Sequence, residues 1–253
     1  MSTQNFRFKQ FTVWHDKCAM KVGTDGVLLG AWCPVTHHPS PTTNTPFRVL
    51  DVGTGSGLIA LMLAQRCPDA RIDAIDIDEA AVKQARENFE RSAFSPQLSV
   101  FRSSLQEWQR VGDTCANAGL YDLIVSNPPY FRNSLKNPDK GRELARHTDS
   151  LSYEELLQHS ARLLAVHGRL ALILPAEAEK EIRLLAERYS LYCARVTRVY
   201  CKESKPARRV LLLFGITESP AHGITTIEDS LVLENEIGGR SAAYSELCKE
   251  FYL

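Results

Sequence analysis

The chain has 253 residues, 44% of them hydrophobic and 24% charged, with 30 Lys+Arg against 30 Asp+Glu. This length buries a sizeable core, and the composition is that of a soluble globular protein rather than a disordered or fibrous one. The balanced charge excludes a global basic field for nucleic acid, and with no signal-type apolar region in "MSTQNFRFKQ" and no 18-residue apolar run the expectation is a cytosolic protein without a spanning helix.

Before the first strong strand signal lies "THHPSPTTNTPF" (36–47), a Pro/Thr-rich loop that marks a boundary. The expected division is therefore an N-terminal extension and loop over 1–46, followed by one domain over 47–253. His37 and His38 have no companion Cys/His cluster, so they read as a solvated loop and no metal is expected. Seven cysteines (18, 33, 67, 115, 193, 201, 248) form no C-x-x-C pair, which suits free thiols in a reducing cytoplasm.

From residue 47 onward strands and helices alternate. "FRVLDVG" (47–53) reads as a buried strand and "SGLIALMLAQRC" (56–67) as an apolar-faced helix. "RIDAIDI" (71–77) is a second strand, followed by a helix over 78–94 whose opening acids suit a helix N-terminus. Strands follow over 98–103 and 121–126, then a helix over 152–167 and a strand over 168–175. A helix near 176–190 and strands near 192–201 and 208–216 complete the series. The expected fold is α/β, a doubly wound, mostly parallel seven-stranded sheet. The last two strands are joined by a short basic connection, which predicts an antiparallel hairpin at the sheet edge.

Ligands in such sheets bind at the carboxyl ends of the strands. The first strand ends in "DVGTGSG", with Gly53, Gly55 and Gly57. The dinucleotide fingerprint G-x-G-x-x-G needs glycine at 58, where this chain has Leu58. Asp51 before the loop would repel a pyrophosphate and welcome an ammonium. S-adenosylmethionine carries an ammonium, a sulfonium, a ribose and an adenine, and no phosphate. Asp76, at the end of the second strand, is placed for the ribose hydroxyls, and Ile77 for the adenine face. Asp78 reads as a helix cap. Ser104, after the third strand, is the polar group available to the adenine amine.

The fourth strand ends in "SNPPYF" (126–131). Pro128 forces Asn127 out of the helical region, and Pro128 and Pro129 lack N–H groups. Carbonyls and the Asn127 side-chain oxygen thus converge as acceptors, which suits an –NH2 group. Tyr130 offers a flat face for a planar substrate, and Phe131 is either a second stacking ring or core filler. Acceptors that pull both hydrogens of a conjugated amine out of plane free its lone pair to attack the methyl carbon of a sulfonium. From Phe131 to His147 five Lys/Arg stand against two Asp/Glu, and "KESKPARR" (202–209) carries four against one. Arg132, Arg146, Lys205 and Arg208 are the candidate phosphate contacts within these groups.

"DVGTGSG" with "NPPY" resembles the Rossmann-type adenosylmethionine-dependent amino-methyltransferases. Residues 8–32 ("FKQFTVWHDKCAMKVGTDGVLLGAW"), 208–214 ("RRVLLLF") and 244–253 ("YSELCKEFYL") narrow the resemblance to the bacterial tRNA1(Val) adenine-N6 methyltransferase family. It implies a class I methyltransferase acting on an adenine beside the anticodon, with Asn127, Pro128 and Tyr130 as the amine corner, Asp76 as the ribose acid, and Asn127 also among the residues that hold the cofactor. It also implies that the extension covers the cofactor's methionine end, with Thr24, Asp25 and Leu28 near it. Read from the residues alone, Thr24 would cap a helix and Leu28 and Leu29 would lie in the core, and the two readings are compatible. The family usually has an acid where this chain has Ser104. The partner is a tRNA anticodon loop, with no membrane, and the chain is expected to act as a monomer. Rival readings are glutamine N5 methylation of a protein, which uses the same corner behind a helical domain, guanine-N2 methylation of RNA, and a cofactor-free RNA-binding module.

Overall fold

The computed structural model describes residues 4–18, 21–35, 46–108, 121–128, 151–217 and 225–253. Two short strands, β1 (Asn5–Arg7) and β2 (Thr12–Trp14), pair as an antiparallel hairpin ahead of helix α1 (Thr24–Trp32). The alternating series then runs β3 (Arg48–Val52), α2 (Leu58–Arg66), β4 (Arg71–Asp76), α3 (Glu79–Glu90), β5 (Leu98–Arg102) and β6 (Tyr121–Ser126). It continues with α4 (Tyr153–Leu163), β7 (Leu164–Pro175), α5 (Glu179–Glu187), β8 (Leu191–Tyr200), β9 (Arg209–Ile216), β10 (Ile227–Val232) and α6 (Ala242–Leu247).

The large sheet has the order β10-β8-β9-β7-β6-β3-β4-β5. Strands β7, β6, β3, β4 and β5 are mutually parallel, and β9 runs antiparallel between β7 and β8. The doubly wound sheet and its antiparallel hairpin are as expected. The difference is an eighth strand: β10 lies outside β8 and parallel to it, so the hairpin is one strand in from the edge. Its sequence "IEDSLV" carried no strong strand signal because only Leu231 is buried, the pattern of an edge strand wet on most of its surface.

Both faces of the central strands are covered, so they read as near-continuous apolar runs. In β3, Val49 packs into the core formed with α1, α2 and α3, while Leu50 and Val52 pack into the core on the α4 and α5 side. The N-terminal hairpin joins the first of these cores through Phe8, Phe11 and Val13, and the chain's end meets it through Phe251, whose carbonyl accepts from the Lys9 amide at 2.9 Å.

Helix α4 stops earlier than the periodicity suggested. Ser152 and Glu155 form a capping box at its start, but Leu164 is extended and pairs with Tyr121 of β6. Residues 164–167 therefore belong to the strand, because a ladder position in the sheet outweighs a local helical pattern. The first turn of α1 also departs from expectation: Gly23 is the N-cap, with no side-chain cap, and Thr24 is already helical. Asp78 does cap α3, its carboxylate accepting from the Ala80 amide at 2.9 Å.

Candidate active site

Register puts the candidate residues on one rim. Val52 of β3 is opposite both Ile75 of β4 and Ser126 of β6, and Asp76 of β4 is opposite Arg102 of β5. The residues that follow these strands, Gly53, Ile77, Ser103 and Asn127, thus emerge together at the carboxyl edge. Antiparallel β9 begins at the same edge, with Arg209 opposite Pro175. The basic turn over 201–208 therefore opens onto that rim, with Lys205 and Arg208 exposed.

The glycine loop is a built turn. The amides of Gly53 and Thr54 donate to the Ile75 carbonyl at 2.9 and 3.0 Å. Gly53, Gly55 and Gly57 all have positive φ (71°, 56° and 81°), a region open to glycine and strained for other residues. A Cβ added at Gly53 or Gly55 would meet nothing within 4 Å, so the backbone there faces open space; one at Gly57 would lie 2.5 Å from the Phe89 ring.

Asp51 sits beneath this turn, fully buried. Thr54 Oγ1 donates to its Oδ2 at 2.7 Å, while Oδ1 is a buried acceptor with no hydrogen-bond donor. Burial pushes its carboxyl up to about 7, opposed by the Thr54 hydroxyl and the Ala60 amide, while the neighbouring Asp76 carboxylate adds to the rise. Asp76 is partly exposed, and its two oxygens accept from the Gly55 amide at 2.9 Å and the Asp78 amide at 3.0 Å. Burial raises its pKa, opposed by those amides. Each oxygen keeps a lone pair for a ligand hydroxyl. Ile77 is 52% exposed beside it. The donor set fits adenosylmethionine: a buried carboxylate beneath the turn whose charge favours an ammonium, an open glycine turn, a second carboxylate for a diol, and an exposed apolar face for a base.

Ser104 is occupied as a turn cap, its hydroxyl donating to Glu107 Oε2 at 3.1 Å and accepting from the Glu107 amide at 3.2 Å. A lone pair remains on that oxygen. Thr24 is exposed, and Asp25 accepts from Arg209 Nε at 2.8 Å, which brings the first turn of α1 to the rim. Arg209 is thereby held in an ion pair. Leu28 is fully buried, in the core position the residues alone indicated. Asn127 is partly exposed and Pro128 buried. Ser126, just before them, donates from Oγ to the Val52 carbonyl at 2.9 Å, tying the end of β6 to the end of β3. Pro129, Tyr130, Phe131, Arg132 and Arg146 lie outside the described residues, as do His37 and His38. Among the described residues there is no group of three or more His, Cys, Asp or Glu able to hold a metal, and no helix long and apolar enough to cross a membrane.

One site feature escaped sequence reasoning. Asn88 of α3 is fully buried; its Nδ2 donates to the Ser56 carbonyl inside the glycine loop and to the Trp14 carbonyl, both at 2.8 Å, and its Oδ1 accepts from the Trp14 amide at 3.0 Å. The available signal was a polar residue on the apolar face that also carries Ala81, Val82, Ala85 and Phe89.

A domain model described as Methyltransferase small domain matches residues 39–190. The chain is 47% identical to a Parabacteroides distasonis protein named tRNA1(Val) (adenine(37)-N6)-methyltransferase, over 100% of this chain and 99% of the relative. Proteins of the same name from Bacteroides thetaiotaomicron (43%, 100% of this chain and 99% of the relative) and Aeromonas hydrophila (45%, 98% and 97%) are similar over nearly their whole lengths. The crystal structure of a predicted O-methyltransferase from Agrobacterium tumefaciens shares the fold with a TM-score of 0.63 at 16% identity, over 90% of this chain and 96% of that one.

Proposed function

The chain belongs to the tRNA1(Val) (adenine(37)-N6)-methyltransferase family, and we propose from that membership and from the rim geometry that it methylates N6 of an adenine beside the anticodon of a valine tRNA, with S-adenosylmethionine as donor. The observation that carries this reading is the juxtaposition of β3 and β6. Neighbouring strands lie about 4.8 Å apart, and these two end together in the glycine loop and in Asn127, joined by the Ser126–Val52 hydrogen bond.

Adenosylmethionine, when bound, supplies an electrophilic methyl group on a cationic sulfur. Asp51 and the glycine loop hold its amino-acid end, Asp76 its ribose, and Ile77 and Ser104 its adenine; the 1–46 extension covers the methionine side, with the domain proper over 47–253. The Asn127 side-chain oxygen and the Pro128 carbonyl accept the two N6 hydrogens of the target base and turn the nitrogen lone pair toward the methyl group. Positioning of this kind recovers about 7–11 kcal/mol of barrier. The proton needs no strong base, because it becomes acidic only as the N–C bond forms. Tyr130 stacks on the base, which is splayed from its loop. Pro129 and Phe131 flank it, and Arg132, Arg146, Lys205 and Arg208 meet the phosphates. The protein acts as a monomer in the cytoplasm. The test is incubation of the purified protein with labelled adenosylmethionine and unmodified tRNA, followed by nucleoside analysis. Label on N6-methyladenosine is expected; label on guanine or on protein glutamine would overturn the assignment.

A further inference from the structure

Residues 14–18 cross helix α3 on the way from the N-terminal hairpin toward α1, and the helix holds them by backbone recognition. Asn88 makes a two-way pair with the amide and carbonyl of Trp14, as one strand does with another. Four residues earlier on the same helical face, Gln84 Oε1 accepts from the Lys17 amide at 2.9 Å. The Lys17 ammonium adds an ion pair with Glu87. The third bond of Asn88, to the Ser56 carbonyl, reaches into the turn between Gly55 and Gly57. Phe89, next along the helix, fills the space against Gly57. One face of α3 therefore grips the crossing segment and the glycine loop at once, and Asn88 is the side chain common to both.

The segment ends close to the ribose-side acid. Burial raises the Cys18 thiol, and the carboxylates of Asp16, Asp76 and Asp78 push it further in the same direction. A molecule seated on the glycine loop would thus lie against a turn that shares the Asn88 side chain with Trp14.

We infer that Asn88 is a positioning residue that couples docking of residues 14–18 to the shape of the glycine loop, so that holding the cofactor and holding this segment are one equilibrium. The inference rests on reading the loop as the adenosylmethionine site. An amide in this place meets all its hydrogen-bond demand: two donors on two carbonyls and an acceptor on an amide. A carboxylate of the same shape keeps the acceptor but sets an oxygen against both carbonyls, and a buried network broken in this way is costly.

The test compares the dissociation constant for adenosylmethionine, by calorimetry, with turnover at saturating cofactor in Asn88→Asp and Asn88→Ala. Loss of two buried hydrogen bonds in Asn88→Asp, or of all three in Asn88→Ala, predicts an affinity loss of about tenfold or more, with turnover at saturation nearly unchanged. The control is Tyr121→Phe, which removes the hydrogen bonds to Trp108 and Asp73 at the opposite end of β6; it should lower the melting temperature and leave cofactor affinity alone. Hydrogen exchange on the wild-type protein adds a readout independent of variant folding: saturating adenosylmethionine should slow exchange in residues 14–18. Folded Asn88 variants that bind like wild type, equal weakening in Tyr121→Phe, or exchange in 14–18 indifferent to cofactor would each overturn the coupling. A wild-type protein that gives no heat with adenosylmethionine would instead overturn the reading of the loop itself, and the coupling with it.

Discussion

Asp51→Asn should make the ligand-free protein more stable at about pH 8 while it weakens the cofactor site. In an unfolded chain the Asp51 carboxyl titrates near 3.8, and in the fold burial moves it up to about 7. Between those values the folded chain holds a proton that the unfolded chain has released. Stability therefore falls as pH rises across that window, and the whole penalty is present above it. At about 1.4 kcal/mol per pH unit the full penalty is about 4 kcal/mol. An amide in the same place carries no charge, but its NH2 gives back about 1–2 kcal/mol if it stays unpartnered. The net gain at about pH 8 is then about 2–3 kcal/mol, or about 5 °C or more in melting temperature for a chain of this size. Because most of the wild-type penalty accrues above pH 5, the advantage of the variant should shrink by about 3 kcal/mol when the comparison is repeated at about pH 5. Calorimetry with adenosylmethionine should show binding weakened by about tenfold or more through loss of the charge facing an ammonium. Thermal melts of both proteins at the two pH values decide the matter. A variant that melts below wild type at about pH 8, or a difference that does not move with pH, refutes the claim that a buried carboxylate is held here at the expense of stability.

Asn127→Ala should lower turnover by about 10²–10³, in line with the loss of one fixed polar contact at a reacting centre; steady-state rates on unmodified tRNA would show it, and a near-normal rate would remove the residue from the chemistry. Gly57→Ala combines a positive φ with a Cβ 2.5 Å from the Phe89 ring, and should destabilise the fold by about 2–3 kcal/mol in denaturant unfolding. Gly53→Ala has the same backbone problem but open space around the new methyl, so it should lose less stability and relatively more cofactor affinity. Replacing Lys205 and Arg208 together by alanine should raise the KM for tRNA several-fold and make the log–log salt slope of tRNA binding shallower by about 1.4, as loss of two phosphate contacts on single-stranded RNA predicts, while adenosylmethionine binding stays the same.

The central strands could be read from the sequence because burial on both faces leaves a parallel strand little choice but a run of apolar residues. Once their order was known, the rule that ligands meet the carboxyl ends of such strands brought Gly53, Asp76 and Asn127 to one rim without further information. What could not be read depends on partners distant in sequence. Leu164 joins the sheet because Tyr121 is there to pair with it, 43 positions earlier. Strand β10 exists because β8 offers an edge. Asn88 looks like an ordinary polar residue on a helix until Trp14 and Ser56 converge on it. Arg209 looked like one more cation in a basic run, yet Asp25, 184 positions away, holds it in an ion pair.

The reversal of direction at β9 separates two jobs mechanically. Had the chain crossed over in the usual right-handed way, the connection after β8 would have packed on a face of the sheet as a helix. Turning back on itself instead leaves an eight-residue tip over 201–208 at the carboxyl rim, held by its two stems, by the Glu234 amide donating to the Cys201 carbonyl, by the Lys202–Glu234 ion pair and by the Ala176 amide donating to the Arg208 carbonyl. Such a tip can be lengthened, shortened or exchanged for another without disturbing the half of the molecule that grips the methyl donor. Transplanting it between relatives should therefore carry substrate preference with it, as a tool changes while the handle remains.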